Sequence, residues 1–237
     1  MKKLKIIFII SIILLVILII VILLIAKIKS KNKILLNNNQ NNSQQSSTSV
    51  QTPSSTPNSV APAKTIPPTA TAIIAEPLSD ALARITKKPF GIYVTPKSSP
   101  VSPEKFTGYH TGVDFETTPA EQNIDVAVKA VCGGKILLAK WATGYGGVVV
   151  QSCTLNGRAV TVIYGHLYIN SVIPKVGDSV TAGEQIAILG QDYSQQTDGE
   201  RKHLHLGIHI GTTVNILGYV QNKADLANWL DPAKIME

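Results

Sequence analysis

No aspartate or glutamate occurs before Glu76, so all 15 acidic residues of this 237-residue chain lie in its last two thirds. The basic residues are lopsided the other way. Lys2, Lys3, Lys5, Lys27, Lys29, Lys31 and Lys33 are seven of the 22 Lys and Arg, and taking them away leaves 15 basic against 15 acidic residues. The net charge of +7 therefore belongs to the first 33 residues, and the rest is near neutral, which removes the electrostatic case for nucleic-acid binding. Cysteine is nearly absent, with only Cys132 and Cys153, and no internal repeat is evident. Histidine is also scarce. Of five in the whole chain, three fall within seven residues.

Ile6 to Ala26 is an apolar run broken only by Ser11. At about 1.5 Å per residue it spans roughly 30 Å as a helix, the thickness of a bilayer's hydrocarbon core. A cleavable signal peptide is the competing reading. It would have a shorter apolar region and a small-x-small site, whereas Ala26-Lys27-Ile28 follows here, which favours an uncleaved anchor over residues 1–36. Lysines flank the run on both sides, so the positive-inside rule does not orient it. Residues 37–75 are Asn, Gln, Ser, Thr and Pro with scattered Ala and Ile, one Lys and no aromatic. That composition cannot bury enough apolar surface to offset its ordering entropy, so it reads as a disordered tether, reaching on the order of 120 Å when extended.

Residues 76–105 open with helical spacing at Leu78, Ala81, Leu82 and Ile85, which predicts a short helix over Glu76 to Lys88, stopped by Pro89. From Phe90 the chain reads as short strands cut by Gly and Pro: 91–95, 126–131, 135–141, 147–151, 159–164, 179–180, 185–189 and 203–210. Only 224–235 looks helical. The expected class is all-β, long enough to bury its own core.

The stretch that organises the chain is K-H-L-H-L-G-I-H-I-G, Lys202 to Gly211. Alternation at period two places His203, His205 and His209 on one face of a strand and Leu204, Leu206, Ile208 and Ile210 on the other. A solvated polar face is the bland reading. Metal binding or acid–base chemistry is the sharper one. Upstream, His110 and Asp114 would lie roughly 13 Å apart in a straight strand, but Gly112 between them permits a bend. His plus Asp, with one histidine of the doublet, makes three N/O ligands and leaves a fourth position for water, as in catalytic zinc sites. His166, in Y-G-H-L, would by itself be a hydrogen-bonded histidine at a strand end. Beside such a site it can act as acid or base. Cys132 and Cys153 flank the turn at 143–147 on strands that should pair, and an even count in an exported domain favours a disulfide.

H-T-G-V-D-F, Y-G-H-L, K-V-G-D-S-V-T-A-G-E-Q-I-A-I-L-G and H-L-H-L, in that order over Phe106 to Ile210, resemble the lysostaphin-type (LytM-like) zinc metallopeptidases, with a family-like Asp231-Pro232 near the end. The resemblance implies an antiparallel β-sheet groove of the duplicated-hybrid-motif type over residues 106–237. It implies one Zn2+ held by His110, Asp114 and His205, with His166 and His203 as the catalytic pair, the base being assigned to His166 ahead of His203. It implies hydrolysis of peptidoglycan peptides. That substrate would put the amino terminus in the cytoplasm and the domain outside a single-pass anchor, with no particular protein partner indicated. Tyr109, Tyr164 and His209 are candidate groove residues, and Glu116 shares the parity of Asp114.

Two departures bear on specificity. The family's small-residue loop ending in Gly-Pro before H-x-H is replaced by Gln191 to Lys202, and E-T-T-P-A-E-Q-N-I-D follows Phe115 in place of a short connection. Two other classes compete with the enzyme: a non-catalytic wall-binding or amidase-activating domain of the same fold, and a phosphocarrier-like domain, which would need to be cytoplasmic.

Overall fold

The structure, a computed structural model, describes residues 74–237. The span at Ile6 to Ala26 and nearly all of the tether lie outside them. Among the described residues no helix is long and apolar enough to cross a membrane.

The described residues form twelve strands in chain order: β1 (Tyr93–Val94), β2 (Gly108–His110), β3 (Gly112–Glu116), β4 (Ala127–Lys129), β5 (Gly134–Ala142), β6 (Gly146–Leu155), β7 (Arg158–Leu167), β8 (Ser179–Val180), β9 (Gln185–Ile188), β10 (His203–Ile210), β11 (Tyr219–Val220) and β12 (Trp229–Leu230). The main sheet has the order β12-β10-β7-β6-β5-β8, with β3 also on β10. All its pairings are antiparallel. β3 takes the first part of the free edge of β10, matching His203 to Glu116 through Gly207 to Gly112, and β12 takes the rest. β1, β2 and β11 form a small second sheet, and β4 pairs with β9.

The alternation read from β10 decides what lies on each side of the main sheet. Leu204, Leu206 and Ile208 join Val113, Phe115, Val162, Tyr164 and Leu167 in the core, each large side chain contributing about 1.5–3 kcal/mol by leaving water. His203 and His205 lie on the opposite face and are buried all the same, which requires a second layer over them. That layer comes from β2, β11 and the loops that join the sheets.

Three expectations need correction. The helix at Glu76 to Lys88 is only one 3-10 turn, Leu82–Arg84. Its backbone and side chains bond sideways instead: Lys129 N donates to Pro77 O at 3.0 Å, and Arg84 pairs with Glu121. Leu78 and Ala81 enter the core from this folded-back strap. The helix at 224–235 is interrupted, because Trp229 is taken by the open edge of β10 beyond β3. A 3-10 segment precedes it (Lys223–Asn228), and α1 (Pro232–Met236) starts after it, capped by the Asp231 side chain accepting from Ala233 N. Cys132 and Cys153 are disulfide-bonded, with Cα atoms 6.2 Å apart, although Cys132 lies just ahead of β5 and not on it.

Candidate active site

His110 ends β2 and Asp114 sits in the middle of β3, and the chain turns between them from the small sheet into the main one. Gly112 allows this by close approach: a Cβ there would overlap the carbonyl of Leu206 on β10. Pairing of His205 with Asp114 then puts the two side chains on one face, next to each other. The result is a tight cluster. His110 Nε2 is 3.0 Å from His205 Nδ1 and 3.3 Å from Asp114 Oδ1, and His205 Nδ1 is 3.1 Å from the same oxygen.

His166 reaches the cluster by a different device. β7 pairs with β6 as Tyr164 to Val149 and then Leu167 to Gly147, so one extra residue of β7 is accommodated at Gly165 and His166. This is a β-bulge. His166 sits there at φ 61°, a conformation that costs a residue with a Cβ about 1–2 kcal/mol. Gly165 is opposite His205 and leaves room for the Tyr145 ring, which a Cβ would strike. In consequence Tyr164 and Leu167 face the core while His166 faces His203, with ring centroids 4.2 Å apart.

Asp114, His166, His203 and His205 line a cleft of about 250 Å³, walled by Gly144 and Tyr145, by Ile216 to Tyr219, and by Lys88, Glu104 and Phe106, while the buried His110 meets Asp114 and His205. Six buried side-chain polar atoms among the described residues lack a hydrogen-bond partner, and five of them belong to residues lining this cleft: Tyr145 Oη, His166 Nδ1, Glu200 Oε1 (3.6 Å from Lys105 Nζ), Arg201 Nη1 and His205 Nε2. Leaving a buried polar group unpaired costs about 1–3 kcal/mol, so this concentration marks a place built to meet something polar.

The electrostatics follow from burial. Burial would raise the Asp114 pKa, but the charges of His203 and His110 and their hydrogen bonds outweigh it and hold the carboxyl well below its usual range. Burial pushes His205 down to about 4, and pushes His166 well below the usual histidine value, with His203 adding to the effect. Burial keeps the Tyr145 and Tyr219 phenols protonated. His110 Nδ1 donates to Pro89 O (3.3 Å), which turns its Nε2 toward Asp114 and His205. His203 Nδ1 donates to Arg201 O at 2.8 Å, turning Nε2 toward Asp114 Oδ2 (3.3 Å).

The residues fit a zinc ion. A tetrahedral ion with bonds of about 2.0–2.1 Å holds its ligand atoms about 3.3 Å apart, and the three atoms of His110, Asp114 and His205 are separated by 3.0–3.3 Å. Two imidazole nitrogens and a carboxylate oxygen are the donors zinc prefers.

Three expected groove residues are elsewhere. Tyr164 is in the core, its hydroxyl donating to Gln151 Oε1 (2.8 Å) and accepting from Val131 N (2.9 Å). Tyr109 alternates with His110 and so faces away from the cleft, against Tyr93 at 4.8 Å between rings. His209 has the parity of His205 but packs on Trp229 of β12, with ring centroids 4.9 Å apart. Glu116, expected to be a loop residue or a partner of the site, binds Arg201. The residues missed were Arg201, Tyr145, Tyr219 and the buried Lys88–Glu104 pair. Arg201 alone had a signal, since 201, 203 and 205 share one strand parity.

Residues 108–216 match the family model of peptidase family M23. A 68-residue stretch is 40% identical to the murein hydrolase activator EnvC of Escherichia coli K12; it takes in 29% of this chain and 15% of that relative's length. Among solved structures, the catalytic domain of the antimicrobial peptidase lysostaphin from Staphylococcus simulans is 26% identical, with a TM-score of 0.44, over 66% of this chain and 96% of that one. LytU is 27% identical with a TM-score of 0.42, over 63% and 81%. H-x3-D, the histidine of Y-G-H-L and H-x-H all lie inside residues 108–216, so the part of the chain that carries this cleft is similar to peptidase family M23.

Proposed function

We propose that this protein is a zinc-dependent endopeptidase that cleaves peptide bonds of peptidoglycan, held at the membrane by residues 6–26 with its amino terminus in the cytoplasm and its domain outside. The observation that carries this reading is the convergence of His110, Asp114 and His205 within 3.3 Å while His166 and His203 stand beside them in the same cleft. Bound by those three residues, zinc would act as a Lewis acid toward the scissile carbonyl and would acidify the attacking water. His166, kept neutral by burial, accepts the proton of that water. His203, anchored through Nδ1 on the Arg201 carbonyl, presents Nε2 toward the developing oxyanion and the leaving amine. Asp114 remains ionised and balances the charge gathered around it.

The likeness to a murein hydrolase activator supports a second reading, in which the domain stimulates another wall hydrolase and cuts nothing itself. One experiment separates the two: the purified full chain is incubated with isolated peptidoglycan, released peptides are identified, and zinc is quantified in the same sample. Chelator-sensitive release with about one zinc per chain establishes the peptidase. Release that appears only when a second hydrolase is added establishes the activator. Proteolysis of intact cells tests the topology, and protection of the domain there would overturn it.

A further inference from the structure

We propose that Arg201 is a positioning residue for the metal-ligating carboxylate, an inference that rests on the zinc reading above and goes on to explain how Asp114 is held. A carboxylate has two oxygens and a nearly free terminal torsion, so it can offer a metal one oxygen, both, or alternate between them. Here the choice is removed. Arg201 Nη2 donates to Asp114 Oδ2 at 2.9 Å, while Oδ1 alone faces His110 Nε2 and His205 Nδ1. His203 Nε2 stands 3.3 Å from the same outer oxygen.

Arg201 is itself fixed. Its Nε lies 2.9 Å from Glu116 Oε2, and its Nη2 is 2.5 Å from Glu116 Oε1. The planar fork therefore ties together two carboxylates two positions apart on β3, which a lysine could not do with fixed geometry. The placement follows from the sheet. His205 pairs with Asp114 and His203 with Glu116, so a residue two before His203 continues along the carboxylate face of β3.

Energetics favour a positioning role over incidental pairing. Asp114 is 2% exposed and Arg201 is 9% exposed; burying opposite charges is favourable only with good geometry and further hydrogen bonds, which Glu116 supplies. Partners behind a metal ligand typically change metal affinity 10–100-fold when removed.

The test uses the full chain and Arg201→Gln, Arg201→Lys and Glu116→Gln. Zinc affinity is measured by competition with a chromophoric chelator, and the visible spectrum is recorded after cobalt substitution. The expected result is a loss of zinc affinity of about 10–100-fold in Arg201→Gln, part of it restored in Arg201→Lys, and a shifted cobalt spectrum as Oδ2 is freed. A purely structural role would lower the melting temperature and leave affinity and spectrum unchanged, and that result overturns the proposal while wild-type zinc binding and cleavage stand. Should Arg201→Gln fail to fold, Arg201→Lys decides, because it removes the planar fork, and zinc affinity within about twofold of wild type together with an unchanged cobalt spectrum would show that the Arg201 clamp does not matter. A wild-type chain that retains no zinc sinks both this inference and the function above.

Discussion

His166 and His203 lie with ring centroids 4.2 Å apart and planes tilted by 35°, although the register of β7 and β10 matches His205 to Gly165 and would leave His166 opposite Leu204, on the core side. The bulge at Gly165 and His166 brings them together. A cleft for acid–base chemistry depends on one irregular strand position, and the consequences can be measured.

His166→Ala should keep zinc and lose turnover by about 10²–10⁴-fold, the usual contribution of a positioned acid or base. Zinc content and peptide release measured on the same preparation check it. Retained turnover would take His166 out of the reaction.

Asp114→Ala should reduce zinc in the purified chain to background while the far-UV spectrum stays that of a β protein. Asp114 Oδ1 is the one oxygen in the cluster and lies 3.1 Å from His205 Nδ1. Zinc content equal to wild type would refute the ligand assignment.

Gly112→Ala should destabilise the domain by about 1–3 kcal/mol, the range for forcing atoms into a packed interior. Here the added Cβ overlaps the backbone carbonyl of Leu206, which has no flexible side chain to move aside. A urea midpoint followed by tryptophan fluorescence gives the value, and zinc affinity should fall with it because β3 is pushed off β10.

Stability should also fall in acid through Glu121. The Arg84 guanidinium donates two hydrogen bonds to its carboxyl and holds the pKa down at about 2. A carboxylate with a depressed folded pKa contributes stability that is complete above its unfolded value, near 4.3, and is lost as pH falls toward the folded one. Between about pH 5 and pH 2 the urea midpoint should therefore decline, and Glu121→Gln should flatten that part of the curve. An equal slope in both proteins would assign the decline to other carboxylates.

Much of this protein is determined locally. The alternation of K-H-L-H-L-G-I-H-I settles which side of β10 is core and which carries imidazole, because successive side chains of a strand must point to opposite faces. The strand at His203–Ile210 was legible residue for residue, and so was Gly112 as the position that lets His110 and Asp114 meet. What alternation could not supply are features set by a neighbouring strand. Tyr164 and His166 differ by two positions and should share a face, yet one lies in the core and the other in the cleft, because the bulge depends on how β7 aligns with β6. Trp229 leaves its expected helix for the same reason: an unpaired stretch of β10 offers hydrogen bonds that the local sequence cannot foresee. Arg201 read as part of a charged loop, and only the pairing of β3 with β10 gives it two carboxylates to hold. Side-chain chemistry and strand period are properties of the chain, whereas register and the contacts it creates arise only when distant segments pair, and in this cleft that pairing decides how the histidines and carboxylates are aimed.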